Sequence, residues 1–188
     1  MSLQLSGKKL FEEASKVIWI TGLSGAGKSS LASELVPRLR AEGKAVIQLD
    51  GDELRDVFGA AATNARNHGR EGRLELAMQY ANLCRIISSQ GITVVIATIS
   101  LFREVHDWNR KNLPGYFEVY LKVPLEELRR RDPKGIYRRF DEGELSNVAG
   151  LDLFIDEPKN ANWVAEFSPW ETPQQLADSL MKSLKIGE

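Results

Sequence analysis

Apolar residues along this chain fall into two kinds of run. Short unbroken stretches rich in β-branched residues read as strands covered on both faces. Longer stretches whose apolar residues recur every three or four positions read as helices packed on one side. KVIWIT (16–21), KAVIQLD (44–50), ITVVIAT (92–98) and YFEVYLKV (116–123) are of the first kind, and WVAEF (163–167) is a candidate fifth strand at an edge. ITVVIAT is the most apolar and is expected at the centre. Residues 28–42 are of the second kind: Leu31, Leu35 and Leu39 form a stripe, Pro37 is an expected kink and Gly43 a stop. Helices are also predicted at 52–59 with Asp52 at or near its N-cap, at 71–91 closed by Gly91, within 100–112, after Pro124, and at 172–185, where Thr172 caps and Pro173 takes the first position. AAATNARNHGR (60–70) has no period and reads as a mobile loop. Strands alternating with helices predict an α/β fold of three layers, α/β/α, around a five-stranded, mostly parallel sheet.

Composition narrows this picture only a little. The 188 residues suit a single domain, 43% hydrophobic and 27% charged, with a formal net charge of −1. A chain so nearly neutral has no global field for nucleic acid or anionic membrane, so an anion site must be local. Cys84 is the only cysteine, which excludes an internal disulfide and fits a reducing cytoplasm. No stretch has the length and apolarity of a membrane span or a signal peptide. Cys84 and Trp19 are expected in the core, Trp163 and Trp170 against the C-terminal edge. His68 and His106 lack ligand spacing and read as loop or surface residues.

The junction between the first strand and first helix carries the chemistry. Gly22, Leu23, Ser24, Gly25, Ala26, Gly27, Lys28, Ser29 and Ser30 fit the pattern G-x-x-x-x-G-K-S/T. Glycines let backbone N–H groups converge on phosphate oxygens, and the helix points its positive end at the anion. Lys28 is a charge for the β- and γ-phosphates, and the Ser29 hydroxyl is a ligand for Mg²⁺. ATP or GTP binding by a P-loop NTPase fold is the reading this supports. A second acid-bearing junction, LDGDELR (49–55), closes the next strand. Carboxyl ends of parallel strands border the ligand crevice, so Asp50 is a candidate for holding Mg²⁺ through water. Asp52 is a candidate for orienting or deprotonating an attacking hydroxyl. The plainer reading makes Asp52 an N-cap and Asp50 a turn residue.

GLSGAGKSS and LDGDELR together with YFEVYLKVPLEELRRRDPKGIYRR (116–139), GELSNVAGLD (143–152) and DEPKN (156–160) resemble, in the same order, the blocks of the adenylylsulfate (APS) kinase family. The resemblance runs from about residue 16 to 185. It implies ATP as donor, Mg²⁺, the 3′-hydroxyl of adenylyl sulfate as acceptor, a basic lid over about 125–150, and a possible homodimer. Arg55 and Arg70 would contact the acceptor's anionic linkage, with Ile99 and Ser100 beside the transferred phosphate. Lys134 would reach in from the lid, and Arg130 and Arg131 would neutralise donor charge.

The departures from the family all fall on the acceptor side. Members usually carry a phenylalanine in the loop before a D-R-x-E-N block and another before a T-G-I-D block, clamping adenine. Here the loop has no aromatic residue, the second position is Val148, and the asparagine of the first block is Arg73. The family's I-S-P-Y reads Ile99-Ser100-Leu101-Phe102. A changed acceptor is the alternative: cytidine diphosphoramidate, whose smaller base needs less of a clamp, with Arg73 serving a second phosphate. A regulatory nucleotide switch is a more remote reading, since no N-K-x-D block follows a strand; so is a degenerate binding module, against which the intact Lys28 and both aspartates stand.

Overall fold

The computed structural model describes residues 16–58 and 69–186. Five strands, β1 (Val17–Thr21), β2 (Val46–Asp50), β3 (Thr93–Ala97), β4 (Tyr116–Lys122) and β5 (Trp163–Glu166), form one sheet in the order β2-β3-β1-β4-β5. Every pairing is parallel, with Asp50 level with Ala97 and Thr21 level with Tyr120. All carboxyl ends therefore emerge along one edge, where the crevice of such a sheet lies. The helices described are α1 (Lys28–Ala41), α2 (Gly51–Phe58), α3 (Arg70–Ser88), α4 (Arg103–Asn112), α5 (Leu125–Arg131), α6 (Ile136–Asp141) and α7 (Pro173–Ile186).

The unbroken apolar runs have a simple cause. Ile18 and Ile20 face a core with Leu31 and Leu35 of α1 and Leu180 of α7. Val17 and Trp19 face the opposite core, with Ala81 and Cys84 of α3 and Val105 of α4. A strand covered on both faces has no polar side to alternate with. Helix α7 begins as expected: Thr172 Oγ1 accepts from the Gln175 N–H (3.3 Å) while Gln175 Oε1 accepts from the Thr172 N–H (2.9 Å), a reciprocal cap. Helix α1 runs through Pro37. Among the described residues no helix is long and apolar enough to cross a membrane.

Several expectations are corrected. The middle strand is β1, with β3 between it and β2; both are completely buried, so apolarity could not rank them. Helix α2 is capped by Asp50, whose Oδ1 accepts the Asp52 N–H at 2.9 Å, and Asp52 lies inside the first turn. Trp170, expected to pack at the C-terminal edge, is 86% exposed. His106 is buried at 5% exposure. The loop predicted at 60–70, as far as residue 68 and including His68, lies outside the described residues.

Candidate active site

A cleft of about 820 Å³ opens at the carboxyl ends of the strands. On one side is the loop from Gly22 to Gly27. A Cβ on Gly22 would stand 2.8 Å from the Leu121 carbonyl, and Gly27 caps α1 from the left-handed region at φ 95°, so both positions require glycine. Residues 24–30 line the cleft. Lys28 Nζ donates to the Leu23 carbonyl at 2.8 Å. Burial, with Lys134 nearby, lowers the Lys28 ammonium to about 8 against the pull of Asp52 and Asp50.

The acids expected at the second strand end converge on this loop. Ser29 Oγ donates to Asp50 Oδ2 at 2.5 Å, so helix α1 and strand β2 present two adjacent oxygens. These suit Mg²⁺, a hard ion that takes one or two protein oxygens and completes its shell with phosphate and water. Asp52 is paired with Lys134 Nζ and with Arg55 Nη1 (3.1 Å). Burial works to raise the Asp52 carboxyl, but Lys134, Arg55 and Lys28 overcome it and hold it below the ordinary carboxylate range.

The segment 125–150 lines part of the cleft, contributing Arg131, Pro133, Lys134, Ile136, Leu145 and Val148 to its wall. It is tied to the phosphate loop: Tyr137 Oη donates to the Ser24 carbonyl (2.9 Å) and Arg131 Nη1 to the Gly25 carbonyl (3.4 Å). Asp152 accepts the N–H groups of Asn147 (2.8 Å) and Val148 (2.6 Å), fixing the turn that carries Val148. Gly150 in that turn lies so close to Leu23 that a Cβ would meet its side chain at 2.9 Å.

Residues 14–166 match the family model described as adenylylsulphate kinase. The chain belongs to the adenylylsulphate kinase family. It is 36% identical over 170 residues to a cytidine diphosphoramidate kinase of Campylobacter jejuni, covering 90% of this chain and 96% of that one. It is also 36% identical over 186 residues to an adenylyl-sulfate kinase of Clostridium kluyveri, covering 96% and 90%. The structure of the Mycobacterium tuberculosis APS kinase CysC, in complex with AMPPNP and APS, superposes with a TM-score of 0.81 at 29% identity, covering 92% of this chain and 98% of that one. The P-loop kinase fold expected from the sequence is thus the fold of this family.

Within this family frame, Lys28, Asp50, Asp52, Arg55, Arg73, Ile99, Ser100, Lys134 and Val148 all line the one cleft. Gly22, Leu23, Arg70 and Arg130, also expected there, do not line it. Arg130 is turned away, its guanidinium forked onto Glu127 at 2.7 and 2.8 Å, while its neighbour Arg131 takes the cleft wall. Arg70 pairs with Glu104 (2.9 Å) and Asp156 (3.2 Å) and covers the Phe102 ring, 5.4 Å from its centroid. Arg73 Nη2 donates to the Asn147 carbonyl at 2.7 Å, and burial together with Arg55 lowers its guanidinium. Sequence reasoning missed Leu76 and Tyr80 of α3 and Phe167 after β5, which also line the cleft. Leu76 and Tyr80 fall on one side of the helical repeat, the only signal the chain gave for them.

Proposed function

We propose that this protein transfers the γ-phosphate of ATP to a hydroxyl of a nucleotide acceptor whose own phosphate is blocked by a substituent. One observation carries the reading: the phosphate loop with Lys28, the Ser29–Asp50 oxygen pair and the Asp52–Lys134 pair share a single cleft. Lys28 and the positive end of α1 hold the donor phosphates. Ser29 and Asp50 would hold Mg²⁺, which when bound would supply charge neutralisation on the transferred group. Asp52, kept ionised by its cations, orients the acceptor hydroxyl and receives its proton as the new O–P bond forms and ADP departs. In a loose transition state orientation counts for more than basicity, which suits a carboxylate held below its usual range. Lys134 passes from Asp52 to the acceptor's anionic linkage when the acceptor is seated.

The acceptor wall favours cytidine diphosphoramidate. Val148 offers no ring for stacking, and Arg73 places a guanidinium beside Arg55, suited to two phosphates. Adenylyl sulfate is the second reading, supported by the family model and the Clostridium relative, with Phe102 or Tyr80 taking over part of the base contact. We place the enzyme in the cytoplasm as a homodimer, a state that light scattering tests. ADP release from Mg-ATP is measured with each acceptor, with Lys28→Ala and Asp52→Ala as blanks. Turnover with the cytidine compound well above that with adenylyl sulfate is expected. The reverse preference gives the enzyme to sulfate activation, and silence with both removes the phosphoryl-transfer reading.

A further inference from the structure

The residue assigned to the surface by its sequence surroundings sits beneath the site. Ser100 leaves β3 into the cleft wall with φ +27°, a conformation a side chain disfavours and one that persists only where its surroundings impose it. Its hydroxyl is paired with Thr98 Oγ1 at 2.9 Å, and Thr98 in turn abuts Gly51 between the two aspartates. Its carbonyl faces inward and meets two groups from the start of α4: the Phe102 N–H at 3.0 Å and His106 Nε2 at 3.2 Å. The imidazole is backed by Glu118 of β4, which is completely buried, with Oε1 at 3.9 Å from Nε2. Glu118 is itself fixed by Arg110 Nη2 (2.6 Å) and Tyr116 Oη (2.9 Å), and its N–H donates to Asn162 Oδ1 (2.9 Å). His106 and Arg110 are one helical turn apart, so one face of α4 delivers both to the same carboxylate.

We infer that His106 is a positioning residue for phosphoryl transfer: its Nε2–H holds the Ser100 carbonyl, and so fixes the strained backbone that sets Ile99 and Ser100 against the acceptor. The mechanism above uses neither His106 nor Glu118, and the inference deepens that reading by adding what shapes its acceptor wall. A carbonyl that accepts from both a backbone N–H and a side chain is pinned in direction. With only Phe102 left as donor, the peptide relaxes towards ordinary φ and the Ser100 hydroxyl leaves its place. Displacement by about 1 Å at a positioned group can cost on the order of a hundredfold in rate.

The test contrasts two amides. Glutamine at this position carries an N–H about as far from the backbone as Nε2, whereas asparagine stops about one bond short. His106→Gln is expected to keep kcat within about threefold, while His106→Asn loses about 10- to 100-fold in kcat with the KM for ATP unchanged. Equal kinetics in the two variants, whether both intact or both impaired, overturns the proposal. A long-range proton–nitrogen correlation spectrum of the unsubstituted protein gives a second readout. The chain has two histidines, so His68→Gln assigns the signals. The Nε2–H tautomer is expected for His106, and an Nδ1–H tautomer overturns the proposal even if neither variant folds. The tautomer is read without turnover, so its failure is distinguishable from failure of the phosphoryl-transfer reading.

Discussion

The two halves of the cleft are built differently. The proposed donor half is one continuous stretch, of which residues 24–30 line the cleft, joined by a single side chain from the next strand, Asp50. The acceptor half is assembled from the start of α2, the middle of α3, the residues after β3 and the turn at 145–149. Backbone groups do most of the work in the first half, and side chains do it in the second. A phosphate is the same in every ATP, so a fixed cradle suits it; an acceptor wall made of exchangeable side chains can be re-specified without disturbing the cradle.

The strongest way to break the contrast is in the donor half. Lys28→Ala is expected to lower kcat about 10²- to 10³-fold with every acceptor alike, measured as ADP release. A loss confined to one acceptor would merge the two halves. Arg73→Asn acts on the other side. It is expected to cost about 10- to 100-fold in kcat/KM for the cytidine acceptor, the worth of a hydrogen bond to a charged group, and to leave the KM for ATP alone. Val148→Phe should raise kcat/KM for adenylyl sulfate about tenfold by restoring one stacking face, with no gain for the pyrimidine compound. A smaller effect concerns protons. Lys28 is lowered to about 8, and a bound triphosphate favours its charged form. ATP binding is therefore expected to take up a proton as pH rises through about 8, and to take up none well below it; calorimetry in buffers of different ionisation enthalpy reads this directly. In Lys28→Ala the uptake should vanish.

The same contrast decided what could be read from the chain. The phosphate loop was legible because its requirements are local: glycines at set intervals, then lysine and serine, between a strand and a helix. The strand end at Asp50 and Asp52 was legible for the same reason, although it is Asp50 that accepts the capping N–H. The acceptor wall was visible only as departures from a family pattern, since Tyr80, Phe102 and Val148 meet through the tertiary fold alone. His106 was hidden by its neighbours. REVHDWNRKN is so polar that His106 read as a loop or surface residue, yet His106 and Asn109 are buried in α4. Arg70 is the reverse case: its place in a familiar block suggested a substrate contact, and in the structure two carboxylates hold it against Phe102. Trp170, apolar and expected to pack, stands exposed beyond the last strand.

Gly150 ties the two halves together. With Leu23 within van der Waals reach of the turn that carries Val148, the shape of the nucleotide cradle and the shape of the acceptor wall are not independent variables. Coupling between the two substrates is the expected consequence, and by reciprocity any change in affinity is equal in both directions. A coupling of this kind is expected to show as a half-saturating acceptor concentration that changes with ATP, read from initial rates over a grid of both substrates.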